Sequence, residues 1–567
     1  MPRLFLAVFI AALGAIPPAP SQSKMTTVSG SGAITGLIVD DNGQPVAGAA
    51  VIVDKIGARN FMQFISTDDE GRFKTSSLPP GLYAMEAHWP GYVLSPDGTQ
   101  LGFHRAGEHL TFNLIKGGVI TGRVTGPTGE PVVSATVVAE RTHDLEGRKV
   151  RPDSEALRTD DRGVYRIYGL KPGRYVVRVN AGSGVYVGRS ETGEETPTYY
   201  PSSPREAAVE ITVRAGEEVG GVDIQRRGER GRTITGIVSG DPPLEDVSVK
   251  LVNVNSGYVE KEAGLSKGGR FVFFGVPDGE YDLYAQKLHG QSGSAGSSLR
   301  RVIVKGADLF AIDLKLIKYG SITGRVVIDS AKASQAAARC ESRSSSHIEE
   351  IMLDARIDSP TRRRQDQLFD PFEYWGSWRG SVVDQKGEFT IQNLEPGLCR
   401  LNVDLPGVDW RVRSVIQPTS GAVKKSSDVS RAGIAVKSGD QITGIEVLIA
   451  EDAASLRGRV VREYGAVTAS HLQIHLLPEE ESAKDDLLRY AETLTGKNGS
   501  FEFKNLAPGK YWLLARTAPE ADSVETQSRP LAWDEGERVK LRRDAKKVEI
   551  ELKPCQRIDD YALKVNR

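Results

Sequence analysis

The chain has 567 residues, and at about 150 residues per domain this length predicts roughly four domains. Hydrophobic residues make up 39% of the chain and charged residues 26%, a balance that excludes wholesale disorder. The 73 Lys and Arg residues offset 74 Asp and Glu residues, which leaves a net charge of −1. The basic surplus typical of nucleic-acid-binding proteins is missing, so we expect no nucleic-acid partner.

The N-terminus has the pattern of an export signal. Arg3 precedes an apolar run of thirteen residues, and small residues at positions 19–21 suit cleavage. Thirteen helical residues cover only about 20 Å of a ~30 Å hydrocarbon core. We therefore expect residues 1–21 to be a cleaved signal peptide and residues 22–32 a linker. No later segment has eighteen consecutive apolar residues, so we expect no membrane span and an exported protein that is periplasmic, associated with the outer surface or secreted.

One strand pattern, of the type apolar-x-Gly-x-Val, opens five stretches of the chain. Its glycines are Gly36, Gly122, Gly236, Gly324 and Gly458. Downstream of each, a Gly-x-aromatic turn is followed ten residues later by a second glycine that precedes another strand. These glycine pairs are Gly71 and Gly81, Gly163 and Gly173, Gly269 and Gly279, Gly387 and Gly397, and Gly499 and Gly509. The same interval in five copies predicts five modules of one fold.

Each glycine pair predicts a β-hairpin. The first glycine follows Asp- or Asn-type turn residues in three copies, as a turn with positive φ requires. The second follows proline in four of the five copies, where proline fixes φ and glycine avoids strain. The following residues alternate with period two, so Tyr175, Val177 and Val179 face one side of a strand. A sandwich of about seven short strands per module fits this pattern.

These residues also carry a family resemblance. The opener, the stretch from Pro45 to Ala49, the Thr-Asp-Asp-x-Gly turn and the Leu-x-Pro-Gly-x-Tyr corner together resemble the carboxypeptidase regulatory-like domain. That domain is a transthyretin-like β-sandwich related to the B-type repeat of collagen adhesins and sometimes grouped with carbohydrate-binding-like folds. The resemblance covers nearly all of residues 33–553 and implies a secreted, non-catalytic module. It implies no peptidase activity, because in carboxypeptidases the zinc site belongs to the partner domain.

We therefore predict an all-β fold, a tandem array of five Ig-like or transthyretin-like β-sandwich modules. We call residues 33–116, 117–230, 231–318, 319–452 and 453–553 modules 1 to 5. Residues 554–567 are expected to be a C-terminal tail. Module 4 carries an aromatic-rich insertion.

No catalytic motif is found in the sequence. The HExxH, GxSxG, P-loop and GxGxxG patterns are missing, so we expect no enzyme, no cofactor and no metal. His471 and His475 have the spacing of a helical metal site, but they lie in a stretch that alternates like a strand. Four residues of a strand span roughly 13 Å, too far for one zinc ion. We expect these histidines on an exposed strand face.

The best candidate for ligand binding is the insertion of module 4. Its opener glycine and turn glycine are 63 residues apart, against 33 to 41 in the other modules. The insertion carries aromatic rings that could pack against sugars or apolar peptide anchors. The candidate platform is Phe372, Tyr374, Trp375 and Trp378, next to Phe369. The alternative is that these rings fold back as a satellite core. Weaker candidates are Tyr199, Tyr200, Trp89 and Tyr92.

The chain has only three cysteines. Cys399 replaces the inward tyrosine of the Pro-Gly corner in module 4, and Cys340 is expected to face inward on the second strand of the same module. Export supplies an oxidising compartment, so we predict a Cys340–Cys399 disulfide, with two buried thiols as the alternative. The state of Cys555, which follows the expected last strand, is left open.

Together these features predict a secreted, non-enzymatic binding or adhesion protein. Its partner would be a glycan, a cell-envelope component or a protein, contacted through loop aromatics. Two alternatives remain: a structural spacer array, and an accessory or regulatory subunit of a secreted peptidase or transporter.

Overall fold

The structure is a computed structural model that describes residues 32–58, 61–95, 103–180, 194–241, 243–287, 294–329, 340, 347–358, 380–418, 426–462, 472–496, 498–518, 530–544 and 546–565. These residues form strands and turns, with no helix longer than eight residues. The predicted all-β sandwich class is therefore confirmed. No described helix is long and apolar enough to cross a membrane. The predicted signal peptide lies outside the described residues. The chain divides into two compact units, whose main boundary lies between Lys318 and Tyr319.

Module 1 contains two four-stranded sheets. Its strands are β1 (Thr35–Val39), β2 (Ala50–Lys55), β3 (Met62–Ser66), β4 (Arg72–Lys74), β5 (Leu82–His88), β6 (Tyr92–Leu94), β7 (His104–Arg105) and β8 (His109–Lys116). The sheet orders are β4-β1-β8-β6 and β3-β2-β5-β7. Val53, Tyr83 and Phe112 are fully buried in the core of the module. The alternation of apolar residues along each strand supplies this core.

Module 2 repeats this layout, with a longer segment after the strand that follows Pro172. Its strands are β9 (Gly118–Thr125), β10 (Thr136–His143), β11 (Lys149–Arg158), β12 (Val164–Leu170), β13 (Gly173–Val179), β14 (Thr198–Tyr199), β15 (Ile211–Val213), β16 (Glu218–Val219) and β17 (Ile224–Gln225). One sheet has the order β11-β10-β13-β14, with β15 also paired to β13. The other has the order β12-β9-β16, with β17 also paired to β9.

In module 3 a single eight-stranded sheet surrounds the core. Its strands are β18 (Arg232–Gly240), β19 (Ser248–Asn253), β20 (Val259–Gly264), β21 (Arg270–Val276), β22 (Gly279–Lys287), β23 (Ala295–Ser297), β24 (Arg300–Val304) and β25 (Leu309–Lys318). The order is β20-β19-β22-β23-β25-β18-β21, and β24 pairs with β22.

Modules 4 and 5 complete the second compact unit. Module 4 has β26 (Gly320–Ile328), β27 (Met352–Ile357), β28 (Ser381–Val382), β29 (Glu388–Leu394), β30 (Gly397–Asp404), β31 (Arg411–Pro418), β32 (Ser426–Asp428), the helix Val429–Ala432, β33 (Ile434–Val436) and β34 (Gln441–Ala450). Module 5 and the residues after it have β35 (Ala454–Arg462), β36 (Leu472–Pro478), β37 (Ala491–Leu494), β38 (Ser500–Leu506), β39 (Gly509–Thr517), the helix Glu535–Arg542, β40 (Val548–Leu552) and β41 (Arg557–Val565).

The prediction of a C-terminal tail at residues 554–567 is wrong, because β41 lies within it. Strand β41 pairs in parallel with the opener β35, as β8 pairs with β1 and β25 with β18 in the first unit. Strand β40, which ends where module 5 was expected to end, pairs instead with β39. The last sandwich therefore reaches Val565. The division into five modules otherwise stays a prediction.

The repeated glycines have identifiable roles. The turn glycines all have positive φ, between 71° and 82°, at Gly71, Gly163, Gly269, Gly387 and Gly499, as the hairpin prediction requires. At the opener Gly236, an added Cβ would lie 2.2 Å from the Ile312 carbonyl oxygen and 2.4 Å from the Phe271 ring. This opener therefore needs glycine because strand β25 and the Phe271 ring pack directly on its backbone.

Candidate functional site

The predicted aromatic platform, Phe372, Tyr374, Trp375 and Trp378, lies outside the described residues, so its role stays a prediction. Among the weaker candidates, Trp89 and Tyr92 are half-buried and pack against the core of module 1. Tyr200 packs in the same way against the core of module 2.

Tyr199 does not have the exposure that a ligand platform needs. Only 2% of its surface is exposed, and its hydroxyl accepts a hydrogen bond of 2.8 Å from Arg205 Nη1. The guanidinium of Arg205 also lies over the Tyr199 ring, 5.4 Å from the ring centre. Because this ring is buried against a protein cation, the expectation that Tyr199 presents its face to a ligand is wrong.

Tyr199 belongs to a buried ionic network. Glu140, on β10, accepts a hydrogen bond of 2.5 Å from Arg178 Nε and one of 2.6 Å from Arg205 Nη1. The side chain of Glu140 is 1% exposed. Burial alone would raise the pKa of this carboxyl, but the two guanidinium groups hold it below its usual value. Removal of Glu140 would leave two largely buried guanidinium groups without the carboxylate that they share.

The network lies where module 2 meets module 3. The Tyr258 hydroxyl of module 3 donates a hydrogen bond of 3.0 Å to the Arg141 carbonyl oxygen of module 2. The Arg205 guanidinium lies 5.7 Å from the centre of the Tyr258 ring. The Lys149 ammonium donates a hydrogen bond of 2.6 Å to the Asn255 carbonyl oxygen. We call this contact, formed by Glu140, Arg178, Tyr199, Arg205 and Tyr258, the 2/3 junction.

A disulfide joins module 4 to the loop before β41. The disulfide connects Cys340 to Cys555, with Cα atoms 5.3 Å apart and a sequence separation of 215 residues. The predicted Cys340–Cys399 disulfide is therefore wrong. The second strand of module 4 begins only at Met352, so Cys340 does not lie on it. Instead, Cys340 Sγ is 3.5 Å from the Glu451 carbonyl oxygen, where module 4 ends. Cys399 is a buried thiol in the module 4 core.

Polar contacts accompany the disulfide. The Asn505 side-chain amide donates to the carbonyl oxygens of Gly407 and Trp410, the second at 2.7 Å. Arg557 Nη2 lies 2.8 Å from Asp409 Oδ1, and Asp409 is 7% exposed. These contacts and the disulfide form what we call the 4/5 junction.

Module 5 covers one of its sheet faces with its own chain. The short 3₁₀ turns Leu487–Arg489 and Leu531–Trp533 and the helix Glu535–Arg542 supply side chains to this cover. The resulting small core contains Leu477, Tyr490, Leu514, Leu531 and Leu541.

His475 lies beside this cover and is 5% exposed, so its expected place on an exposed strand face is wrong. Burial, reinforced by the nearby charge of Arg516, lowers the pKa of His475 to about 4. The imidazole is therefore neutral at neutral pH. His471 lies outside the described residues.

Within the described part of the chain, no group of three or more His, Cys, Asp or Glu side chains is placed to hold a metal ion. The two junctions are the best-defined polar arrangements found. Their chemistry is that of fixed ion pairs and a covalent bond between neighbouring sandwiches, and they supply no pair of groups placed for acid and base catalysis.

Residues 33–101 and 119–225 match the carboxypeptidase regulatory-like domain family, which confirms the predicted resemblance within modules 1 and 2. No curated protein matches the chain.

Among solved structures, the Bacillus anthracis TIE protein is similar over 92% of this chain and 75% of its own, with 12% identity and a TM-score of 0.15. The minor pilin GBS52 of Streptococcus agalactiae covers 35% of this chain and 96% of its own, with 17% identity and a TM-score of 0.19. The major pilin subunit BcpA of Bacillus cereus covers 50% and 99%, with 10% identity and a TM-score of 0.14. TM-scores this low identify no function for this chain.

Proposed function

We propose that the protein is an exported, non-enzymatic binding protein whose joined β-sandwich modules carry ligand-binding loops. The observation that carries this proposal is the disulfide between Cys340 and Cys555. Disulfides persist in exported proteins and are rare in reducing compartments, so the bond supports export independently of the N-terminal pattern. It also ties two neighbouring sandwiches together, which suits a protein that must keep its loops in place outside the cell.

The 2/3 junction supports the same proposal. The hydrogen bonds of Tyr258 and Lys149 cross from one module to the other. Glu140 holds the Arg205 guanidinium that lies beside the Tyr258 ring, which gives the contact a defined geometry. A junction of this kind limits rotation between modules 2 and 3. Loops on neighbouring modules then keep a fixed spacing, which reduces the entropy lost when a partner binds several of them.

The loop that we propose for ligand contact is the insertion of module 4, with Phe372, Tyr374, Trp375 and Trp378. Tryptophan and tyrosine side chains carry much of the binding energy in protein interfaces, and their ring faces stack on sugars. The ligand class we propose is a glycan or another cell-envelope component.

The test is a pull-down in which the chain without residues 1–21 is incubated with isolated cell-wall polysaccharide and with envelope fractions. We expect retention that saturates with polysaccharide concentration and that falls at least about tenfold in a Trp375→Ala, Trp378→Ala double variant, because such hot-spot residues contribute about 2 kcal/mol or more each. A matched control is Trp533→Ala, since Trp533 lies in the cover of module 5. Equal retention of the double variant and the wild type would contradict the proposed platform.

The junctions also favour a second candidate, a structural spacer. In that case the contacts at the 2/3 and 4/5 junctions would serve only to separate other components. A spacer has no saturable ligand, so absence of retention on every fraction, together with an intact disulfide, would favour it over the binding protein.

A further inference from the structure

The outermost strand of one sheet in module 1 has an open edge. Strand β3, Met62–Ser66, pairs with β2 on one side, and no other described strand pairs with it. Its sequence, Met-Gln-Phe-Ile-Ser, contains no charged residue and no proline. Edge strands of this kind offer unpaired main-chain groups to another strand, and most proteins protect them with charges, prolines or short length.

The corresponding edge strands of the other modules have this protection. Strand β11 contains Pro152 and five charged residues, and β20 contains the charged run Glu260-Lys261-Glu262. Strand β37 contains Glu492 at its centre, and β28 has only two residues. The lack of protection at β3 is therefore specific to module 1 and is not a property of the repeated fold.

The main-chain hydrogen bonds show which groups of β3 face the open edge. The Thr67 N–H donates a hydrogen bond of 3.0 Å to the Ala49 carbonyl oxygen, at the end of the β2–β3 pair. In an antiparallel pair, every second residue bonds to the partner strand. The main-chain groups of Met62, Phe64 and Ser66 therefore point away from β2, toward the open edge.

The side chains beside this edge form an apolar surface with acidic groups. Phe64 is 68% exposed and Met62 is 54% exposed. On β2, Ile52 lies opposite Phe64 and Asp54 lies opposite Met62, and Glu86 of β5 follows beyond Ile52. Asp54 makes no ion pair with another described residue, and partial burial raises its pKa to about 6. A cation placed beside Asp54 would stabilise its charged form.

We propose that β3 is the docking edge for an extended segment of a partner protein in which apolar and basic side chains alternate. The segment adds a strand to the sheet through the main-chain groups of Met62, Phe64 and Ser66. Its apolar side chains lie beside Ile65 at the rim of the core, and its basic side chains lie over Phe64 and reach toward Asp54. This surface is separate from the proposed ligand platform of module 4.

A peptide segment fits this edge better than a second copy of the chain. A five-residue strand buries a few hundred Å², whereas stable protein interfaces bury about 1,200 Å² or more. Pairing of two β3 strands would also bring no cation to Asp54. A peptide can bind through main-chain hydrogen bonds to β3 without the large buried area that a stable dimer needs. A basic side chain of the peptide would also place a cation beside Asp54.

The test uses a fluorescently labelled, end-blocked octapeptide of alternating Val and Arg, and the chain without residues 1–21. Anisotropy is measured against protein concentration. We expect Ser66→Pro to weaken binding about tenfold, because it removes an edge donor without breaking a bond to β2. Phe64→Thr should weaken binding by a similar factor, and Asp54→Asn by about threefold at low salt. The matched control is Phe310→Thr, because Phe310 is an equally exposed aromatic side chain, 67% exposed, on a strand of another module, β25.

The proposal is overturned if the peptide does not bind, if Phe310→Thr weakens binding as much as Ser66→Pro, or if an alternating Val and Glu peptide binds equally well. A dimer of the chain that dissociates in Ser66→Pro would overturn the choice of a peptide partner. Because Ser66→Pro could unfold β3, thermal unfolding is compared with wild type, and Phe64→Thr, which changes an exposed side chain only, provides the independent reading. None of these variants changes module 4, so each should bind cell-wall polysaccharide as the wild type does. Failure of the peptide assay and failure of the polysaccharide assay can therefore be distinguished.

Discussion

Removal of the Cys340–Cys555 disulfide is expected to destabilise the second compact unit. The bond closes a loop of 215 residues. The relation between loop length and the entropy of the unfolded chain gives a loss of about 18 cal/mol/K for such a loop, or about 5 kcal/mol at 25 °C. Cys555→Ser should therefore lower the free energy of unfolding of modules 4 and 5 by as much as about 5 kcal/mol, because their unfolded chain is no longer cross-linked.

The assay is urea unfolding of the chain without residues 1–21, followed by tryptophan fluorescence with and without dithiothreitol. Reductant should move the midpoint of the wild type to that of Cys555→Ser and leave the variant unchanged, which makes the reduced variant the matched control. Peptide mapping of the unreduced protein should recover the two cysteine-containing peptides joined, with Cys399 as a thiol. Recovery of Cys399 in a linked peptide, or titration of three thiols in denatured, unreduced protein, would refute the assignment.

Three further predictions concern single side chains. Glu140→Ala should lower the free energy of unfolding by about 3–5 kcal/mol, because it leaves two buried guanidinium groups without their carboxylate. Glu218→Ala, which removes an exposed ion pair, should lower it by under about 1 kcal/mol in the same urea titration. His475 has a pKa of about 4 in the folded protein against about 6.5 in the unfolded chain, so the unfolded chain binds the proton first as pH falls. The free energy of unfolding should therefore fall by about 3 kcal/mol between pH 6.5 and pH values below 4. Comparing the unfolding midpoints of wild type and His475→Gln over this pH range isolates the loss. Gly236→Ala should cost about 1–3 kcal/mol or more by overpacking, and Gly264→Ala, whose Cβ would meet no atom within 4 Å, should be nearly neutral in thermal unfolding.

Each of these expectations has a result that would contradict it. Equal costs for the two glutamate variants would mean that the 2/3 junction is solvated. A His475→Gln variant with the same pH dependence as the wild type would place the titrating group elsewhere. Equal melting temperatures for the two glycine variants would show that strand β25 leaves room for a side chain at position 236.

The strand pattern predicted the fold well because it depends on local chemistry. Turn glycines with positive φ, and a strand that alternates after the corner, are properties of short stretches of chain. The corner tyrosines illustrate this: the hydroxyls of Tyr83 and Tyr511 donate to the carbonyl oxygens of Pro79 and Ala507, four residues earlier. Such contacts can be expected from one repeat alone.

The buried polar positions and the disulfide could not be predicted in this way because they depend on contacts between segments that are distant in sequence. Arg178 alternates with apolar residues and so has the pattern of a solvent-facing position, but Glu140 and Tyr199 cover it. Cys340 was placed by strand phase, yet its partner follows β40 in the next sandwich. His475 was expected to face solvent but is buried, and the chain between β39 and β40 packs Leu531 and Leu541 against Leu477 and Leu514 of the same sheet.

Binding of an envelope component by the exported chain can be measured with a binding isotherm. The chain without residues 1–21 is titrated with purified cell-wall polysaccharide and with intact envelope, and bound protein is measured after sedimentation. We predict saturable binding in the oxidised protein, abolished or strongly reduced in the Trp375→Ala, Trp378→Ala variant. A linear, unsaturable response to every fraction, equal in wild type and variant, would contradict the claim.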